Sequence, residues 1–71
     1  MTLDKAEVGE LRTIVGMDLT WRMERRLAAL GVTPGTQVSV LNRKDGGTMI
    51  LKVRGTRLAM GRGITRGIEV A

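Results

Sequence analysis

Cysteine, histidine, phenylalanine and tyrosine are absent from this 71-residue chain, and tryptophan and proline occur once each, as Trp21 and Pro34. Without cysteine no disulfide supports the fold, and without thiol or imidazole the usual zinc-site spacings and Cys- or His-based catalysis are excluded. A chain this short buries only about 60% of the surface its unfolded form exposes, so packing must carry the fold. No apolar run reaches the length that spans a bilayer, and Met1–Lys5 lacks the basic region and apolar core of a signal peptide. A cytoplasmic location without membrane insertion is the expectation, and no helix has the strongly basic and bulky faces of a peripheral anchor. Ser39 is the lone serine, lies in a strand pattern and has no histidine to activate it; no glycine-rich phosphate loop precedes Lys-Ser or Lys-Thr. The chain is therefore expected not to be an enzyme and to need no cofactor.

What is present is positive charge: twelve Lys and Arg against seven Asp and Glu, a formal +5. Such an excess draws anionic partners, whether nucleic acid, headgroups or an acidic protein, without choosing among them. The basic residues are scattered from Lys5 to Arg66 and alternate with apolar ones, the pattern of solvated strand faces. There are no repeats, linkers or low-complexity tails, so residues 1–71 read as one domain.

Ten glycines punctuate the chain. Thr2–Ala6 reads as a short helical turn capped by Thr2, and Leu11–Val15 as a first strand. From Leu19 to Leu30 the period changes: Leu19, Met23, Leu27 and Leu30 fall within one roughly 80° arc of a helix, predicting a core-facing stripe capped by Asp18 or Thr20. Gly31 is the expected left-handed terminator, and Pro34-Gly35 the turn into a strand. Strands are predicted over residues 36–42, 48–53, 56–61 and 67–70, with primed hairpin turns at Asp45-Gly46-Gly47 and Arg54-Gly55. The fold class is mainly β with one α-helix between the first two of five strands. Five short strands are best accommodated as a small SH3-like β-barrel with the helix plugging one end. Its strand edges leave weak self-association open, with the short last strand the one to exchange.

Arg26-Leu27, Leu30-Gly31, Pro34-Gly35 and Val38 resemble the motif of the ferrous-iron transport protein A family (FeoA). Leu3 with Val8-Gly9 resembles the family's opening, and Val53, Gly55, Leu58-Ala59-Met60 and Ile68-Glu69-Val70 its last two strands. The resemblance implies an SH3-like barrel that binds and modulates the membrane transporter FeoB, whose cytoplasmic part carries a GTP-binding domain. It departs at Gly61–Thr65, where the family shows a charged helical turn and two glycines here predict a looser loop. The same barrel occurs at the C-terminus of metal-dependent repressors of the diphtheria-toxin-repressor type; the expectation here, from a chain opening at Met1 without a DNA-binding helical domain, is the free-standing version.

Helix geometry sets Trp21 about 160° from the apolar stripe, with Arg25 and Ala28 beside it. Trp21 and Arg25, extended by Arg22 and Arg26, form a candidate partner-binding patch. In the alternative Trp21 folds back around Met17 with Arg25 over its ring. Arg43 and Lys44 make a second basic point. Leu27 and Leu30 are assigned to the core, and Gly31, Pro34, Gly35 and Gly55 to the backbone. The seven carboxylates are dispersed and thioether suits ferrous iron poorly, so no metal site is expected within the chain. The alternative function is a nucleic-acid-binding small barrel, suggested by charge and by Pro34–Val40. One aromatic counts against it, since single-strand binders stack bases on several.

Overall fold

Leucine, valine and isoleucine at every second position put one face of each strand inward, and the resulting sheet is visible in a computed structural model of residues 1–71. The strands are β1 (Leu11–Met17), β2 (Gln37–Arg43), β3 (Met49–Val53), β4 (Thr56–Met60) and β5 (Ile68–Val70), with helices α1 (Trp21–Ala29) and α2 (Arg62–Thr65). All pairings are antiparallel, in the order β4-β3-β2-β1-β5. A short 3-10 turn, Leu3–Lys5, precedes them.

The curl of the sheet comes from β1. Its first half, Leu11–Thr13, pairs with β2, whereas Ile14, Gly16 and Met17 pair with β5 across a register shift. A second shift interrupts β2 between Val40 and Asn42. Such irregularities bend a strand and increase its twist, which turns both ends of the sheet around one core. Leu3, Ile14, Val32, Val38, Val40, Met49, Leu51, Val53, Ile68 and Val70 are each no more than 2% exposed there.

Closure of the expected barrel is not seen in the strand pairing. β4 and β5 are the two ends of the strand order and do not pair with each other, so the sheet remains open. The connection between them also differs from the expected loose loop, because Arg62–Thr65 is helical. Ile64 and Thr65 donate to the Gly61 carbonyl and Arg66 to that of Arg62, all at 3.0–3.1 Å. Gly63 costs such a helix about 1 kcal/mol against alanine. Burial of Thr65, fully inaccessible, and the packing of Ile64 on the core override that propensity.

The remaining corrections are local. Lys44–Thr48 is a longer loop than a two-residue hairpin: Lys44 N–H donates to the Thr48 carbonyl at 2.8 Å, and Gly46 and Gly47 have φ of 85° and 91° after a helical Asp45. Arg54-Gly55 is the primed turn expected, with φ of 51° and 79°. Thr2 does not cap its turn through the side chain, which bonds Asp4 instead. The β5 edge is not free, because Thr2 bridges to Glu69 and Val70 N–H donates to the Met1 carbonyl; the uncovered edge is β4.

Candidate functional site

Thr20 opens α1 in extended conformation and its hydroxyl accepts the Met23 N–H at 3.2 Å, which settles the cap between Asp18 and Thr20. At the other end Leu30 and Gly31 N–H groups bond the Leu27 and Ala28 carbonyls, and Gly31 takes φ of 87°. Between these stops nine residues present two different faces.

The inward face is Leu27, which is buried, with Leu19 and Met23 half-buried against the core. Leu30 was expected beside them but is 52% exposed. It stands one residue beyond the last helical position, where φ and ψ have left the helical range, and the 100° periodicity no longer directs its side chain. Leu30 instead borders a groove of about 220 Å³ shared with Met23, Leu27, Leu58, Met60 and Ile64. This groove between α1, β4 and α2 was not foreseen, although Leu58 and Met60 sharing one strand face was a signal for it.

The outward face carries the residues singled out from sequence. Trp21 is 71% exposed, and the Arg25 guanidinium carbon lies 4.8 Å from its ring centroid. The ring thus points outward with Arg25 over it, and the indole is not buried on Met17. Trp21, Arg22, Arg25 and Arg26 line one recess of about 380 Å³, so the structure brings all four together. Arg26 also borders the apolar groove and joins the two surfaces.

The electrostatics of this face are one-sided. The ion pairs of the molecule are the Met1 amino group with Glu69 and Arg12 with Glu10, both 2.7 Å, so Arg22, Arg25 and Arg26 have no carboxylate partner. Exposed guanidiniums of this kind attract an acidic surface at distances up to about 10 Å at ordinary ionic strength. The second basic point is different: Arg43 donates to the carbonyls of Asp4 and Ala6 and thereby ties the N-terminal segment to β2. Glu10 has its carboxyl held below the ordinary glutamate value, first by the Glu7 N–H and then by Arg12.

No three carboxylates converge on a point where a cation could sit. No helix is long and apolar enough to cross a membrane.

Comparison with known proteins identifies the fold and the family. The chain superposes on a solution structure of FeoA from Chlorobium tepidum with a TM-score of 0.92 at 27% identity, covering 99% of this chain and 68% of that one. A crystal structure of an iron uptake regulatory protein, FeoA, gives 0.89 at 27% identity, covering 99% and 93%. The zinc complex of Stenotrophomonas maltophilia FeoA, described as a prokaryotic SH3 domain protein, gives 0.84 at 24% identity, covering 100% and 89%, and supports the SH3-like fold. No curated protein matches the sequence. The model of the FeoA domain matches residues 1–71, and the chain belongs to the FeoA family, which is linked to ferrous iron transport.

Proposed function

We propose that this chain is a cytoplasmic, non-catalytic accessory protein of ferrous iron uptake that binds the cytoplasmic GTP-binding region of FeoB and modulates it by protein contact. The observation that carries this reading is the exposed Trp21 with Arg25 over its ring, on a helix whose three outward arginines lack carboxylate partners. Trp and Arg are the residues most enriched at interface hot spots, where truncation of one costs about 2 kcal/mol or more. Family membership supplies the transport context. The 27% identical crystal structure described as an iron uptake regulatory protein supports a regulatory role.

The adjoining groove fits the same mechanism. A partner that lays acidic residues over Arg22 and Arg25 reaches the apolar wall of Met23, Leu30 and Leu58 within one docking footprint, with Arg26 at the boundary. Iron itself is cargo in this reading, and the chain acts on the transporter.

The test is titration of isotope-labelled protein with the cytoplasmic region of FeoB, with a short single-stranded RNA in a parallel sample at the same salt. Saturable amide shifts at Trp21, Arg22, Arg25 and Arg26 with FeoB, abolished by Trp21→Ala, are expected. Localised, salt-sensitive shifts with RNA and none with FeoB would replace this reading by a nucleic-acid-binding one.

A further inference from the structure

The solvent face of the sheet carries a second recess that shares no residue with the α1 surface. It is the largest in the molecule, about 710 Å³, and lies across β1, β2 and β3. Register fixes its floor: Leu11, Ser39 and Lys52 stand side by side in one cross-strand row, with Thr13 opposite Gln37 in the next. Strands lie about 4.8 Å apart, so the three-residue row spans roughly 10 Å. Arg54, in the β3–β4 turn, closes one end.

The chemistry of the lining is polarised. Both cations, Lys52 and Arg54, are at the β3 side, the hydroxyls and amide of Thr13, Gln37 and Ser39 lie across the middle strands, and no carboxylate contributes. Neither cation belongs to an ion pair. Arg54 is also held in place. Its Nε–H donates to the Gly31 carbonyl at 3.3 Å and its Nη2–H to the Thr36 hydroxyl at 3.2 Å. A guanidinium has five N–H donors, so three remain unused on an oriented group, which lowers the ordering cost of receiving an anion.

We propose that this cleft binds a small phosphomonoester carried on a hydroxylated body. Two cations match the charge of about −1.5 to −2 that a phosphate monoester carries near neutral pH. The free donors of Arg54 and the Lys52 ammonium receive the phosphate oxygens. Gln37, Ser39 and Thr13 lie where hydroxyl groups of the ester would extend. The absence of an aromatic wall disfavours a nucleobase, which is held by stacking.

The experiment is an amide-shift titration of the full chain with glycerol 3-phosphate, and separately with inorganic phosphate. Saturable shifts confined to Thr13, Gln37, Ser39, Lys52 and Gly55 are expected, with several-fold tighter binding of the ester. Lys52→Gln, a change at an exposed strand position, should weaken it about tenfold while leaving the rest of the spectrum in place; Lys44→Gln, elsewhere on the surface, should leave binding unchanged. Equal affinity for both probes, shifts spread over all basic residues, or indifference to Lys52→Gln would each overturn the proposal. FeoB binding at α1 is read independently, because Trp21→Ala touches none of these residues.

Discussion

The Arg54 side chain lies directly over Gly31, with its Cδ 2.7 Å from the point a β-carbon on Gly31 would occupy. Gly31 is doubly constrained, since its φ of 87° also belongs to the left-handed region that L side chains rarely adopt. The same glycine ends α1, turns the chain towards β2 and offers its carbonyl to Arg54. A helix terminator and a hairpin turn 23 residues further on are thereby coupled.

Gly31→Ala should destabilise the fold by about 1–3 kcal/mol, the usual cost of such a backbone position. Part of that cost comes from Arg54 and part from the backbone, and a double-mutant cycle separates them. In an Arg54→Ala background the penalty should fall and the strain portion persist. Equal penalties in both backgrounds, measured by urea unfolding, would show that the close approach is without energetic consequence.

The two leucines of the family motif should respond differently to truncation. Leu27 is 4% exposed and packs in the core, so Leu27→Ala should cost about 2–5 kcal/mol. Leu30→Ala, at a half-exposed groove position, should cost under about 1 kcal/mol. If the groove serves partner docking, Leu30→Ala should weaken FeoB binding while the melting temperature changes little. A Leu30→Ala protein as unstable as Leu27→Ala would restore Leu30 to the core.

This difference shows what the sequence could express. The alternation at Met49, Leu51 and Val53, the glycine at Gly31 and the Arg54-Gly55 turn are local signals, and each produced the element it predicted. Leu30 sits where helical periodicity ends, so its direction depends on the cap geometry. The open sheet depends on whether β4 meets β5, and the Arg62–Thr65 helix on burial of Thr65 against the propensity of Gly63; both are long-range facts. The helical period points Trp21 outward but leaves the fold-back on Met17 open, because Trp21 is the first residue of the helix, and only the structure decides its direction. The apolar groove and the sheet-face cleft were not legible, because each joins elements distant in sequence.

Gly67→Ala should be poorly tolerated although Gly67 has ordinary backbone angles. A β-carbon there would stand 2.5 Å from Leu19 Cδ2 and 2.8 Å from the Asp18 carbonyl oxygen. Leu19 can rotate, whereas the Asp18 backbone is fixed by its N–H bond to the Gly67 carbonyl at 2.7 Å. Overpacking of this kind costs about 1–3 kcal/mol. Hydrogen exchange should localise the damage to the β1–β5 pairing, and an unchanged exchange rate at Asp18 would contradict the account.

Thr65 offers the opposite sign. Its side chain is fully buried and its hydroxyl has no hydrogen-bond partner. A buried polar group without a partner costs about 1–3 kcal/mol of desolvation, so Thr65→Val, of similar shape, should stabilise the domain by about 1 kcal/mol. Thermal unfolding reads this directly, and a destabilised variant would indicate that the hydroxyl is satisfied in solution.

Acid should reach the fold through Glu10. Its two carboxylate oxygens are divided between the Glu7 N–H and the Arg12 guanidinium, each at 2.7 Å. Both bonds favour the ionised form, with the backbone donor the larger cause, so the folded-state pKa lies below that of the unfolded chain. A depressed carboxylate contributes stability in full above its unfolded value, about 4.3, and loses that contribution as pH falls through the folded value. The residue also fixes the segment beside β2, where Gly9 N–H bonds the Val40 carbonyl and Val40 N–H the Glu10 carbonyl. Glu10→Gln should therefore lower stability at pH 7 and flatten its decline below about pH 4.3, since the amide cannot titrate. Unfolding midpoints of both proteins between pH 7 and pH 2.5 test this; parallel curves would remove Glu10 as a source of the acid sensitivity.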